Sequence, residues 1–288
     1  MLASADVLVR LLHHDLTARG YAAHTVHEYC RFNGQLLEWL DIPVECLDRA
    51  RVLEWVGLGP TPSNRRWRWL AVKALSRLLV DEGILAEDVA RRVPMPKQPQ
   101  APQPVLSDDA LDALLATCSS RSAADVRDRA LLLTLASTGA RRSELAALDV
   151  ADVNLDQGVV MIRRGKGGKG RVSFLDQAAT RAVLSWLRVR GEAATPGLWV
   201  NSRGARLTSD GVRQMIERRA ARAGVKASAH MFRRRLAATW LRNGGSQVGL
   251  MAAAGWTSTA MPARYCAAVA SELAQVEHRR VFDTPNLR

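Results

Sequence analysis

The spacing of apolar residues predicts a helical region at the start of the chain. Four helical patterns precede residue 93 and begin near Ser4, His24, Glu45 and Pro62. The last is the best formed, because Thr61 can cap the helix and a proline suits its first position. Its apolar residues recur at helical spacing over residues 67–79, as in a helix that packs one face on a core. Residues 1–93 are therefore expected to form a small, all-helical domain.

A proline-rich segment follows the helical region. Residues 91–104 hold five prolines and almost no apolar side chains. Proline cannot continue a helix, and a segment without apolar side chains cannot pack. Residues 94–104 are therefore predicted to link two domains.

The pattern after residue 105 changes between helical and strand periods. Helical patterns cover residues 107–118 and 125–137, with Gly139 placed to end the second helix. Two β-branched and apolar runs, 158–164 and 171–175, flank a glycine-rich turn and predict a β-hairpin. Further helices are expected to begin near Ala178, Thr208, Ser228, Ser246 and Thr259. The fold class is mainly α, with a second domain over residues 105–288 that is mostly helical and holds a small antiparallel sheet.

The charge balance indicates a polyanionic partner. The chain has 41 Lys and Arg residues against 28 Asp and Glu, a net charge of +13. An arginine-rich genome explains why only five of the 41 are lysine, but it does not explain the positive surplus. Nucleic acid is therefore the leading partner.

Other sequence features exclude several classes. There is no run of 18 apolar residues and no signal-peptide pattern, so we expect a cytoplasmic protein. The four cysteines lack the paired spacing of a zinc site or a disulfide framework. We expect reduced thiols, no metal and no cofactor.

Two groups of residues, mostly cationic, are candidate DNA contacts. One lies on a face of the fourth helix: Arg66, Trp69, Lys73 and Arg77. The other surrounds the hairpin turn: Arg163, Arg164, Lys166, Lys169 and Arg171. A solvated helix face and a soluble hairpin tip are the alternatives. The turn matches G-x-G-x-x-G by letter, but a dinucleotide site needs a helix after the turn, and here a second strand follows.

Four short motifs, in chain order, resemble the tyrosine recombinase (phage integrase) family. Residues 138–145, TGARRSEL, resemble its T-G-x-R-x-S-E-L box, and glycine-flanked Lys166 follows Arg141 by 25 residues. Residues 230–233, HMFR, resemble its H-x-L-R box. Gly255-Trp256 resembles its L-G-H or L-G-W element, and Tyr265 lies nine residues beyond Trp256.

The resemblance implies a role for each matching residue. Arg141 and Arg233 would bind the DNA phosphate, and Lys166 would be the general acid on a mobile hairpin. His230 would be the base and Tyr265 the covalent nucleophile. Trp256 stands where His is more frequent, so it offers an indole N–H hydrogen bond but no proton. Glu144 would orient Arg141 or Lys166 by ion pairing, with a solvated helical Glu as the alternative.

The resemblance also implies an architecture and partners. The first domain would be a SAM-like core-type DNA-binding domain. The second would have the DNA breaking-rejoining fold of an Xer- and Cre-like catalytic domain. The chain resembles the simple type that lacks an arm-binding domain and acts as a tetramer on double-stranded DNA with inverted half-sites, with a possible directionality factor. Integration and excision of a phage or mobile element is the favoured role. Xer-like resolution of chromosome or plasmid dimers and a non-catalytic DNA-binding regulator are the alternatives.

Overall fold

The computed structural model describes residues 4–98, 104–163 and 170–256, together with positions 258, 274–275, 278–279 and 282. The chain divides into two compact units, Met1–Ala101 and Pro102–Arg288. Each unit is described by itself.

The described part of the first unit is helical. Its α-helices are α1 Ala5–Ala18, α2 Ala23–Trp39, α3 Arg49–Gly57 and α4 Pro62–Asp81. The third begins later than the sequence predicts, because the chain first forms a short 3₁₀ helix at Val44–Cys46. Asp48 then caps α3, its Oδ1 accepting the backbone N–H of Arg51 at 2.8 Å.

Helix α4 packs against α2 and forms much of the core of the first unit. The predicted cap is confirmed, since Thr61 Oγ1 accepts the backbone N–H of Asn64 at 3.1 Å. Leu75 and Leu79 of its apolar stripe are fully buried. Asn33 of α2 donates from Nδ2 to the carbonyl of Ala71 at 2.9 Å, which links the two helices through a buried polar side chain.

The second unit combines helices with a small sheet. Its described helices are α5 Asp108–Ala116, α6 Ala123–Thr138, α7 Arg142–Ala147, α8 Gln177–Arg190, α9 Ser209–Ala223, α10 Ala229–Arg242 and α11 Gln247–Ala254. Helix α6 is central, with buried residues on all sides, and it packs against both α8 and α10. A helix that is apolar all round belongs in an interior. Gly139 ends α6 at a φ of 56°, so the predicted left-handed cap is confirmed.

The sheet has three antiparallel strands in the order β1-β2-β3. They are β1 Val153–Asn154, β2 Val159–Ile162 and β3 Arg171–Phe174, with Ile162 opposite Arg171. The predicted hairpin is confirmed, although its turn, residues 164–169, lies outside the described residues. The sequence did not predict β1 or α7, and both are too short to show a period. The helix expected from Thr259 also lies outside the described residues.

Candidate active site

The first turn of α7 positions Arg141. Arg141 is the N-cap residue of this helix, two positions after Gly139. Glu144 Oε2 accepts the backbone N–H of Arg141 at 2.8 Å, and Glu144 Oε1 accepts from Arg141 Nη1 at 2.6 Å. One carboxylate therefore fixes both the backbone and the guanidinium of Arg141.

The structure departs from the sequence prediction at Arg171. We expected its side chain to reach DNA from the hairpin, but only 8% of it is exposed. Nη2 donates to Glu144 Oε2 at 2.8 Å and Nε to the carbonyl of Ala253 at 3.2 Å. As the first residue of β3, Arg171 points inward toward α7 and α11, and its contacts are made within the protein.

Glu144 is thus a buried carboxylate shared by two arginines. Burial by itself raises the pKa of Glu144, but the hydrogen bonds from Arg171 and Arg141 outweigh it and lower the pKa to about 2. The solvated alternative for Glu144 is wrong, because only 2% of the side chain is exposed. Among the described residues, the ion-pair partners of Glu144 are Arg141 and Arg171.

Helix α10 brings His230 and Arg233 to the same face, since residues three apart are neighbours on a helix. Arg233 is buried and donates from Nη1 to the carbonyl of Gly139 at 2.8 Å and from Nη2 to the carbonyl of Ala254. It therefore links the end of α6 to the end of α11. A Cβ on Gly139 would lie 2.7 Å from Leu236 Cδ2 and 3.4 Å from Arg233 Cα, and the φ of 56° also favours glycine at this position.

Trp256 lies beneath Arg233. The Arg233 guanidinium carbon is 5.1 Å from the centroid of the indole ring, a distance at which the two groups attract each other. The ring is buried in an apolar cluster with Ala237, Leu241 and Leu250. Trp256 therefore contacts the site by packing under the Arg233 guanidinium.

Arg141, His230 and Arg233 line one cleft of about 380 Å³ between α7, α9 and α10. Arg142 and Arg213 add two more cations to its lining. The acidic side chain in the lining, Glu217, is paired with Arg213 at 2.7 Å. The cleft therefore presents a surplus of positive charge.

The same charges act on His230. Desolvation in the cleft, followed by the positive charges of Arg234 and Arg233, lowers its pKa below 6.5, and Arg141 and Arg142 contribute in the same direction. The imidazole is therefore mainly neutral at neutral pH. A neutral imidazole can accept a proton, as a general base must.

Several predicted site residues are not brought to this cleft by the described structure. Tyr265, Lys166, Arg164 and Lys169 lie outside the described residues. Arg163, at the end of β2, is exposed and pairs with the buried carboxylate of Asp152.

The predicted cation face of α4 lies in the first unit. Trp69 packs partly against the core and donates from Nε1 to the carbonyl of Val93 at 3.0 Å. Lys73 Nζ is 4.8 Å from the Trp69 ring centroid, and Arg66 Nη1 is 2.7 Å from Met95 Sδ. Arg77 is exposed. The indole of Trp69 is therefore mainly a packing group with its polar atom already bound.

The sequence analysis missed two cations of the cleft, Arg142 and Arg213. Arg142 donates from Nε to Ser209 Oγ at 3.1 Å, which links α7 to α9. Arg213 forms i,i+3 and i,i+4 ion pairs with Asp210 and Glu217. That spacing is visible in the sequence, but with so many arginines it does not single out one of them.

Two other classes of site are not formed by the described residues. None of the helices in that part of the chain is long and apolar enough to cross a membrane. Across the same residues, His, Cys, Asp and Glu side chains form no group of three that could hold a metal ion.

The geometry is suited to an anion with several oxygens. A guanidinium group can donate two parallel hydrogen bonds to one phosphate, and it stays charged at every relevant pH. Two such groups fixed by protein contacts before the ligand arrives need little reorganisation to stabilise negative charge. The cleft can therefore bind a phosphate group beside a neutral histidine.

Comparison with known proteins identifies the family. Residues 104–272, more than half of the chain, match the phage integrase family. The chain belongs to this family of tyrosine recombinases. This tyrosine recombinase is 31% identical to tyrosine recombinase XerC of Pelobacter propionicus over 211 residues, 70% of each chain. It is 27% identical to XerC of Myxococcus xanthus over 96% of its own length and 97% of that protein.

Other relatives match over less of their length or in fold alone. Identity to tyrosine recombinase XerD of Mycobacterium leprae is 37% over 195 residues, which cover 62% of this chain and 61% of that protein. The structure of XerH bound to a palindromic difH substrate, a post-cleavage complex, matches with a TM-score of 0.79 at 17% identity, over 96% and 97% of the two chains. A lambda integrase dimer bound to a COC′ core site matches with a TM-score of 0.76 at 15% identity, over 90% and 94%. These structures support the recombinase fold.

Proposed function

We propose that this tyrosine recombinase cleaves and rejoins DNA at specific sites through a 3′-phosphotyrosyl intermediate, with Tyr265 as the nucleophile. The supporting observation is that Arg141 and the pair His230 and Arg233, from two distant parts of the sequence, line one positively charged cleft. A DNA phosphodiester in this cleft would meet two guanidinium groups and one neutral imidazole.

The proposed reaction exchanges one phosphate ester for another. The Tyr265 phenol oxygen attacks phosphorus while its proton passes to His230, because a phenol with a pKa of about 10 is a weak nucleophile at neutral pH. The bond from phosphorus to the 5′ oxygen breaks, and Lys166 gives that oxygen a proton. Arg141 and Arg233 stabilise the charge on the non-bridging oxygens.

Rejoining is the reverse reaction with a different 5′ hydroxyl. The phosphotyrosyl bond conserves the energy of the broken ester, so the proposed strand exchange uses no ATP. The arginine side chains meet the phosphate charge, so no step of the proposed reaction uses a metal.

The other two tyrosines are poorer candidates for the nucleophile. Tyr29 is buried in the core of the first unit with Phe32 and Leu12. Burial raises the pKa of Tyr29, which disfavours the phenolate. The ring of Tyr21 packs at a tilt against that of Tyr29, with ring centroids 6.0 Å apart. Tyr265 belongs to the unit that holds the cleft, and its place after Trp256 supports the assignment.

The proposed biological role is integration and excision of a phage or mobile element, carried out in the bacterial cytoplasm on nucleoid DNA. We propose that four copies assemble on two DNA duplexes with inverted half-sites, and that a directionality factor can bias the outcome. The neighbour XerH was solved on a palindromic substrate and lambda integrase as a dimer on a core site. Such sites are consistent with inverted half-sites here.

A second role, Xer-like resolution of dimers, is favoured by a specific observation. Two relatives that match over 70% and 96% of this chain are named tyrosine recombinase XerC, and one that matches over 62% is named tyrosine recombinase XerD. The same active site would serve both roles. Recombination assays with the DNA flanking the gene distinguish them: an integrase recombines a site beside its own gene with a second, different site, whereas a resolvase acts on two copies of one site.

A trapped covalent intermediate tests the proposed function against a non-catalytic DNA-binding regulator. Binding sites are first selected from genomic DNA with the full chain. They are then made into suicide substrates nicked beside the cleavage position, so that the 5′ hydroxyl diffuses away and religation stops. We expect a protein–DNA adduct with the wild type and with the matched control Tyr21→Phe, and no adduct with Tyr265→Phe. Absence of the wild-type adduct would favour the regulator.

A further inference from the structure

We infer that Arg171 is a positioning residue for the cleavage reaction, which keeps Arg141 available to the DNA phosphate by sharing the carboxylate of Glu144. This inference rests on the proposed function and adds a role for Arg171, which the cluster of cations around the hairpin turn predicted only as a direct DNA contact. It concerns three groups: the guanidinium of Arg141, the carboxylate of Glu144 and the guanidinium of Arg171.

The net charge of the Arg141, Glu144 and Arg171 group depends on the second arginine. Glu144 accepts from Arg141 Nη1 at 2.6 Å and from Arg171 Nη2 at 2.8 Å. A carboxylate paired with Arg141 alone would neutralise the charge that must attract the phosphate. With Arg171 on its other side, two guanidinium groups share one carboxylate, and the group keeps one net positive charge next to the cleft.

Arg171 also contacts the end of α11. Its Nε donates to the carbonyl of Ala253 in the last turn of α11, and its aliphatic chain packs under Gly255. A Cβ on Gly255 would lie 2.6 Å from Arg171 Cδ, and the φ of 64° also favours glycine there. One buried side chain of β3, the strand that follows the hairpin turn, therefore contacts both α7 and the end of α11.

The ion pair between Arg171 and Glu144 is buried. Only 8% of the Arg171 side chain and 2% of the Glu144 side chain are exposed. Removing one partner of a buried ion pair leaves the other charge uncompensated, so the remaining groups rearrange. Without Arg171, the Glu144 carboxylate would pair with Arg141 alone. The cleft would then lose positive charge, and the Arg141 guanidinium would move from its position.

The test compares Arg171→Met and Arg171→Lys with a matched control, Arg127→Lys. Arg127 also has a buried side chain, 11% exposed, that donates to one carboxylate, Asp128, and to one carbonyl, that of Val200. It lies on α6 and does not line the cleft. The measurements are the single-turnover cleavage rate on a saturating suicide substrate, the dissociation constant for the same DNA, and the melting temperature.

We expect Arg171→Met to lower the cleavage rate up to about 100-fold, as a displaced reacting group does, with little change in DNA affinity. Arg171→Lys keeps the charge but cannot reproduce both hydrogen bonds, so its rate should be intermediate. Arg127→Lys should lower the melting temperature without this loss of rate.

A double variant separates positioning from a purely structural role. Glu144→Gln removes the neutralising charge, so adding it to Arg171→Met should restore part of the cleavage rate. A structural role predicts that the double variant is slower and less stable than either single variant.

The possible failures are distinguishable. Absence of an adduct with the wild type overturns the proposed function and this inference together. If the wild type forms the adduct but the Arg171 variants cleave as fast as Arg127→Lys, only the inference is overturned. Loss of folding in both Arg171 variants would assign the residue to the core and would also overturn it.

Discussion

At the scale of single residues, the central arrangement is a set of arginines that the protein itself holds in place. Arg233 is fixed by the carbonyls of Gly139 and Ala254, and Arg141 by Glu144. A flexible arginine loses side-chain entropy when it binds a phosphate, whereas a guanidinium already held by protein contacts loses less. Preorganisation is therefore built into these contacts before DNA binds.

The first prediction concerns the titration of His230. Because desolvation and neighbouring arginines lower its pKa, the imidazole of the free protein should titrate below the ordinary value of about 6.5. The neutral form, which is the base, is then present at lower pH than for an ordinary histidine. NMR titration of the imidazole measures this directly.

A neighbouring variant tests the cause of that shift. Arg142 lines the same cleft and lowers the pKa of His230, so Arg142→Gln should move the titration to higher pH. A wild-type His230 that titrates at or above the ordinary value, or an unchanged titration in Arg142→Gln, would contradict the electrostatic description of the cleft.

Sequence patterns identified Arg141, His230 and Arg233, because short motifs keep residues that act together at fixed local spacing. They misplaced Arg171, since the sequence near a hairpin turn does not tell whether a side chain points to solvent or inward. That depends on the register of β3 and on the approach of α7 and α11, which lie far away in the sequence. Trp69 stays a predicted DNA contact, although its indole N–H already donates to the carbonyl of Val93, a partner that the local spacing does not reveal.

At the scale of elements, the turn between α6 and α7 determines the position of the site. Gly139 ends α6, gives its carbonyl to Arg233 and leads directly into Arg141. The patterns that are long and regular, such as α4 and α6, could be predicted from the sequence. Helix α7 could not, because six residues do not complete two helical turns.

Gly139→Ala tests this turn. A left-handed φ costs a non-glycine residue about 1 to 2 kcal/mol, and here the new Cβ would also lie 2.7 Å from Leu236. We expect a loss of stability above that range together with a lower cleavage rate, because Arg233 follows the displaced backbone. Urea unfolding and single-turnover cleavage measure the two effects.

Gly224→Ala is the matched control for that variant. Gly224 caps α9 at a φ of 67°, and a Cβ there would meet nothing within 4 Å. It should show only the conformational cost of about 1 to 2 kcal/mol and normal cleavage. Equal effects of the two substitutions would show that the turn at Gly139 has no special part in the site.

At the scale of the whole molecule, the net charge of +13 should govern DNA binding. Each phosphate neutralised by a cation contributes about 0.9 to the slope of log affinity against log salt. If the α4 face contacts DNA, Arg77→Gln should reduce the slope by about that amount. Arg188→Gln is the control, because Arg188 is exposed on α8, which contributes no residue to the cleft. Equal salt slopes for Arg77→Gln and the wild type would show that Arg77 does not contact a DNA phosphate.

The identity of the nucleophile is the central claim, and one measurement tests it most directly. The suicide-substrate adduct is digested with nuclease and protease, and the peptide that carries the remaining nucleotide is sequenced by mass spectrometry. The account predicts a 3′-nucleotide on the phenol oxygen of Tyr265. A nucleotide on Tyr21, on Tyr29 or on a serine would contradict it.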